Sequence, residues 1–306
     1  MTAIMTDKQK NQSKLKRQIK EHLIAYSFIL PNLLGFAIFT LIPIGFSLAL
    51  AFMHWDGANR VGWAGLENFQ RLMDDETFWI ALKNTLIYVA GTVPLTLIAS
   101  LGLALLLNQP LVGRNIFRTI FFFPYVASLV AVAVVWNLLF FPSAGPVNEF
   151  LRAIGVMNPP RWAASVDWAL PTVIMASIWK GMGYYMVIYL AALQGIPGIL
   201  YEAADIDGAN AWQKFRYITV PMLTPATFFI SVMLTISSFK VFDLIMVMTG
   251  GGPGRATNVL VIHTYNTAFR QFEFGYSSAI AMVLFALVLG ITIVQFYMER
   301  RWVNYM

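Results

Sequence analysis

The sequence predicts an all-α integral membrane protein with six transmembrane helices, and three observations carry that prediction. Of 306 residues, 58% are hydrophobic and only 12% are charged, against about 25% charged in a typical soluble domain. The charges crowd into the tails and connections and leave long stretches nearly empty. Six of those stretches, 23–53, 80–107, 117–141, 169–194, 223–248 and 275–298, reach the ~20 apolar residues needed to cross hydrocarbon. Each must be helical, because an unpaired backbone group in lipid costs several kcal/mol and no alternating barrel pattern is present.

The same composition excludes other classes. The net charge of +6 does not mark a nucleic-acid binder, because eight basic residues lie in the two tails: Lys8, Lys10, Lys14, Lys16, Arg17, Lys20, Arg300 and Arg301. No basic stripe interleaved with aromatics is left for a nucleic acid. The absence of cysteine rules out disulfides and thiolate metal sites.

Taken in order, residues 1–22 form a basic N-terminal tail and 23–53 the first span. That apolar run is too long for a signal-peptide core and lacks a small-residue cleavage site, so it is expected to be retained. Residues 54–79 form an outer loop, 80–298 hold the other five helices, and 299–306 form a second basic tail. An even number of spans puts both tails on one side, and their Lys and Arg make that side cytoplasmic. The loops alone point the other way: Arg114, Lys214 and Arg216 lie inside, against Arg60, Arg71, Arg152, Arg161, Arg255 and Arg270 outside. The dense first tail decides, since the first span usually sets topology. Pro31 and Pro43 in the first span and Pro94 in the second are read equally well as working kinks or as ordinary membrane prolines.

The inner connection 194–221 is unlike a solvated linker. Pro197 can open a short helix with Glu202 early in it, where a carboxylate suits the positive end. Ala203 and Ala204 leave room for a close approach. Asp207-Gly208 ends the helix with turn chemistry, and Asn210 can cap a second helix. That helix carries Trp212, Phe215 and Tyr217 among Lys214 and Arg216, and Pro221 is expected to stop it. Such a finger suits a groove on a partner or an interfacial position on the headgroups, and composition alone leaves the two even.

The spacing goes further. Glu202-Ala203-Ala204, three residues, Gly208, nine residues, Ile218, one residue and Val220-Pro221 resembles the EAA loop of binding-protein-dependent ABC importer permeases. The family pattern has leucine where this chain has Val220. Further segments resemble the carbohydrate branch, of the maltose and glycerol-phosphate importer type: Leu193-Gln194-Gly195-Ile196-Pro197, Met248-Thr249-Gly250-Gly251-Gly252-Pro253, Phe274-Gly275-Tyr276-Ser277-Ser278-Ala279, Gly65-Leu66-Glu67-Asn68-Phe69 and Asn84-Thr85. The resemblance covers roughly residues 25–300. It implies a type I importer permease fold in a bacterial cytoplasmic (inner) membrane, with 197–221 as the coupling helix docking on an ATPase subunit. Glu202, Ala203, Ala204, Asp207, Gly208, Trp212, Phe215, Ile218 and Pro221 would make that contact. It further implies a second homologous permease, two ATP-binding cassette subunits and an extracytoplasmic solute-binding protein as partners.

The chain itself carries no Gly-x-x-x-x-Gly-Lys-Ser/Thr, no His-Glu-x-x-His and no Gly-x-Ser-x-Gly. ATP and its Mg are therefore expected on the partner ATPase, and no cofactor or metal on this chain. A few polar groups interrupt the spans: Lys180 in the fourth, with Tyr184 one turn away, and Ser237, Ser238, Lys240 and Asp243 in the fifth. Charges at depth usually face a cavity or a partner, and Lys240 and Asp243, three apart, are positioned to pair. These six residues are the candidate solute path, against the plainer reading of helix tethers and aromatic belts. Two rival classes stay open: a stand-alone secondary transporter and a membrane enzyme. The first lacks paired interrupted spans in two matching halves, and the second lacks a catalytic constellation.

Overall fold

The computed structural model describes residues 7–58 and 61–303. The chain is helical from Asp7, so the basic first tail runs directly into the first span. Arg60 and the last three residues of the C-terminal tail lie outside the described residues, as do the N-terminal basic side chains before Gln18.

Four helices are long and apolar enough to cross a membrane: Lys20–Leu50, Glu76–Leu107, Val166–Gln194 and Phe274–Arg301. Two bent pairs complete the set. Arg114–Val126 meets Leu129–Leu139 at 101°, and Ala211–Met222 meets Thr224–Phe239 at 61°. Counting each pair as one span gives six. Pro31 and Pro94 are absorbed inside their helices. Near Pro43 the ladder widens into a π turn, Ala37–Leu41, and resumes as Ile42–Leu50.

Two expected spans differ from continuous helices. The third, expected over 117–141, breaks at Ala127, which is extended (φ −61, ψ 147). Pro124 sits just before the break and removes a backbone donor. The fifth, expected over 223–248, ends at Phe239, and a separate short helix, Asp243–Met248, follows. Hydropathy is blind to both breaks, because apolar composition continues through them. The connection after residue 249 contains a further helix, Leu260–Phe269, packed on the outer end.

The second and fourth spans form the spine. Along the second, Asn84, Tyr88, Thr92, Thr96, Ser100 and Ala104 are buried at every fourth position, the spacing that keeps one helix face against a neighbour. On the fourth, Gly183 lets the third span pack directly: a Cβ there would collide with the Phe121 carbonyl. The first span is the outlier. Its end is buried at Leu50, but Phe28 and Phe39 are each 81% exposed, so its surface faces lipid or another chain.

Polar side chains pin the outer ends together. The Asn68 carboxamide donates to the carbonyls of Ala51 and Met53 at 3.0 Å each, closing the end of the first span. Asn84 donates to the carbonyls of Arg255 (2.9 Å) and Asn258 (3.0 Å), and Leu260 N–H donates to the Thr85 hydroxyl at 2.9 Å. At Gly275 the sixth span lies on the Met53 carbonyl, which an added Cβ would strike. Gly275→Ala is therefore expected to cost about 1–3 kcal/mol, seen as a lowered melting temperature of the purified protein. An unchanged melt would contradict this packing.

Candidate functional site

Two regions carry the residues singled out from the sequence. The first is the finger between the fourth and fifth spans. Its first helix, Gly198–Ile206, is opened by Pro197 and closed by Asp207. Glu202 lies beyond the first turn, which holds no acid, so the expected interaction with the helix N-terminus is not what places it. It is exposed and makes no side-chain hydrogen bond or ion pair among the described residues. Ala203 is exposed and Ala204 half-buried.

Gly208 adopts φ +73, and Ala209 N–H donates to the Ala204 carbonyl at 2.8 Å. This left-handed closure satisfies carbonyls that a helix end would leave open. Asn210 and Gln213 then form a reciprocal capping box, at 2.9 and 2.8 Å, which starts the second helix. The helix does not stop at Pro221 as expected. It passes through a π turn, Phe215–Thr219, and continues to Met222, with the bend falling at Leu223.

Two cross-links stiffen the finger. Lys214 reaches Asp205 at 2.6 Å, and the Tyr201 and Thr219 hydroxyls bond at 2.9 Å. Trp212 packs on Phe215, with ring centroids 5.5 Å apart, yet Trp212 remains 67% exposed and Ile206 88% exposed. Ile218 and Pro221 are half-buried at the base. The result is a rigid projection with a free carboxylate beside uncovered apolar side chains.

The second region is a pocket of about 240 Å³ at mid-span, walled by the second to fifth spans. The second span gives Tyr88 and Thr92, and the third gives Tyr125 and Leu129. Ser177, Lys180, Gly181 and Tyr185 come from the fourth, and Ser237 and Ser238 from the fifth. The Tyr88 hydroxyl bonds that of Ser177 at 2.6 Å. Thr92 keeps a buried hydroxyl without a hydrogen-bond partner. Lys180 is held at the rim: its ammonium donates to the carbonyls of Pro124, Tyr125 and Ala127 at 3.0, 3.0 and 3.1 Å.

Of the expected solute path, the fold brings Lys180, Ser237 and Ser238 to this pocket. Tyr184 stands one layer behind, stacked on Tyr125 at 4.4 Å. Lys240 and Asp243 lie outside it. The helix breaks between them, both are exposed, and no ion pair joins them among the described residues. The expectation of one shared helix face fails because the face is interrupted. Tyr88, Thr92, Tyr125 and Ser177 went unnoticed in the sequence. The every-fourth run of Tyr88, Thr92, Thr96 and Ser100 was the available signal. Hydroxyls, aromatic faces and one lysine can hydrogen-bond and stack on a polyhydroxylated molecule. No group of three His, Cys, Asp or Glu poised for a metal occurs among the described residues.

Comparison with known proteins places the chain in a family. Residues 100–304 match the family model described as "Binding-protein-dependent transport system inner membrane component". The "Probable ABC transporter permease protein YesP" of Bacillus subtilis (strain 168) is 39% identical, over 98% of this chain and 98% of its own length. The "Lactose transport system permease protein LacF" of Rhizobium radiobacter is 36% identical, over 95% of this chain and 98% of its own. Among solved structures, a bacterial alginate ABC transporter in complex with an alginate pentasaccharide-bound periplasmic protein contains a similar chain. Its TM-score is 0.82 at 28% identity, covering 94% of this chain and 98% of that one.

Proposed function

Because the chain belongs to the family of binding-protein-dependent transport system inner membrane components, we propose that it is the permease subunit of an ATP-driven importer of a sugar or related polyhydroxylated solute. It is a multi-pass membrane subunit and not itself an enzyme; hydrolysis belongs to a separate ATPase. An extracytoplasmic binding protein delivers the solute to the outer ends of the spans. Both termini and the finger lie in the cytoplasm.

The observation that carries this reading is the finger. A stiff pair of short helices with a free Glu202 and uncovered Ile206 and Trp212 suits a groove on a partner, since uncovered apolar side chains grouped outside the membrane mark a docking surface. The partner is an ATPase subunit, and a second permease subunit completes the path. The finger joins the fourth and fifth spans, which also wall the mid-span pocket. Motion imposed on the finger therefore passes to the pocket through the fourth span and, across the bend at Leu223, the fifth. Closure of the ATPases turns the spans from inward-open to outward-open, a rigid-body mode of switching.

Uptake into vesicles tests the reading. Solute should accumulate with ATP present and ion gradients collapsed, and should stop when ATP is withheld. Accumulation driven by a proton or sodium gradient alone would instead make the chain a secondary transporter.

A further inference from the structure

Among the described residues, two cations at the inner end of the third span have no partner. Arg114 opens the helix Arg114–Val126, and Arg118 lies about 6 Å further along it, inside the run that hydropathy assigns to the membrane. Arg71, Arg152 and Arg255 at the outer end each pair with a glutamate, at 2.7, 2.9 and 3.1 Å. Arg114 and Arg118 make no side-chain hydrogen bond or ion pair among the described residues.

Three effects make this arrangement unfavourable for the chain alone. Residues four apart on a helix are neighbours, so the two like charges repel. Both sit at the positive pole of their helix, where cations are disfavoured, and its first turn holds no acid. Arg118 is half-buried, with Nε and Nη2 covered and unpartnered, and an unanswered charge at membrane depth is costly.

The surroundings say what answers them. Nη1 is the guanidinium nitrogen left open, and Arg118 lines a cleft of about 280 Å³ with Thr119, Phe122 and Val187, between the third and fourth spans. The cleft shares no lining residue with the mid-span pocket. Its charge lies toward the inner end, and Phe122, one turn deeper, makes it apolar toward mid-membrane. On the adjoining face Ile116, Ile120 and Phe123 are exposed, a surface suited to hydrocarbon. A cationic mouth over an apolar trough fits a headgroup and its chain, and basic clefts between spans on the cytoplasmic side are sites for anionic lipids. We propose that Arg114 and Arg118 hold the phosphate of an anionic lipid of the inner leaflet, with its acyl chain along Phe122 and Val187. This goes beyond the importer reading and takes from it only which face is cytoplasmic. The lipid braces the arm of the third span that carries Tyr125 to the mid-span pocket.

The test reconstitutes the complete transporter in nanodiscs of equal phosphatidylglycerol and phosphatidylcholine and identifies the lipids it retains by native mass spectrometry. Melting temperatures are read with and without phosphatidylglycerol. The wild type should retain phosphatidylglycerol preferentially and melt higher in its presence. Arg118→Gln should lower the preference about tenfold and Arg114→Gln about fivefold. Arg114 heads the helix outside the cleft, so its variant decides the matter if the Arg118 variant fails to assemble. Arg300→Gln with Arg301→Gln removes basic charge from the inner end of the sixth span and should leave the preference unchanged. Equal retention of the two lipids, an unchanged preference in either arginine variant that assembles, or an equal loss in the sixth-span variant overturns the site. Stabilisation by inorganic phosphate in phosphatidylcholine alone, equal to that by phosphatidylglycerol, would make the ligand a free anion and overturn the lipid assignment. Retention is read without ATP or solute, so it fails independently of the importer reading.

Discussion

Replacing Gly208 by proline is expected to abolish transport and release the ATPase subunits, while the helices still insert. The reason lies in one backbone angle. Gly208 sits at φ +73, where a side chain costs roughly 1–2 kcal/mol and proline, fixed near −65°, cannot go. Proline also removes the Gly208 N–H that donates to the Asp205 carbonyl at 3.1 Å. The second finger helix would then leave at a different angle, breaking the Lys214–Asp205 and Tyr201–Thr219 links. No span contains Gly208, so insertion should be unaffected. Gly208→Ala should give an intermediate loss, since it adds strain without deleting the donor. Co-purification of the ATPase with affinity-tagged permease, read beside uptake, checks both. Wild-type values for the proline variant would remove the finger from the mechanism.

That turn was legible in the sequence because its chemistry is local. Pro197, Asp207-Gly208 and Asn210 each act on their immediate neighbours, and each holds the same station in the fold. The spans whose apolar runs are uninterrupted, such as Glu76–Leu107 and Val166–Gln194, were legible for the same reason. What escaped was set at long range. Pro124 marks a weak point near Ala127, but not a 101° bend, because the carbonyls that the bend exposes are answered from residue 180. The mid-span pocket escaped likewise. Tyr88 and Ser177 are 89 residues apart and 2.6 Å apart in space, and only the period of the hydroxyls along the second span hints that they meet. Lys240 and Asp243 misled for the opposite reason: a spacing of three implies a shared face only where the helix continues, and here it stops at Phe239.

Lys180→Met is expected to lower both the thermal stability of the assembled protein and its maximal uptake rate, the latter by more than tenfold. A helix that ends inside the membrane leaves carbonyls unpaired, and lipid offers them no donor. Lys180 resolves this for the broken third span by directing its ammonium at three of them, Pro124, Tyr125 and Ala127. A cation at that end also complements the negative pole of Arg114–Val126. Methionine keeps the length and supplies no donor, leaving carbonyls that cost about 1–3 kcal/mol each when buried without a partner. The elbow at Pro124–Ala127 should then relax, carrying Tyr125 and its stacked partner Tyr184 away from the pocket wall. Arginine should restore only part of the function, because a planar fork does not converge on three carbonyls as an ammonium does. The pairing of readouts decides what Lys180 is for. A strut lost to methionine lowers the melting temperature and the maximal rate together. A melt at the wild-type temperature, with only the apparent uptake affinity weakened, would instead make Lys180 a solute contact and leave the bend in the third span without its support.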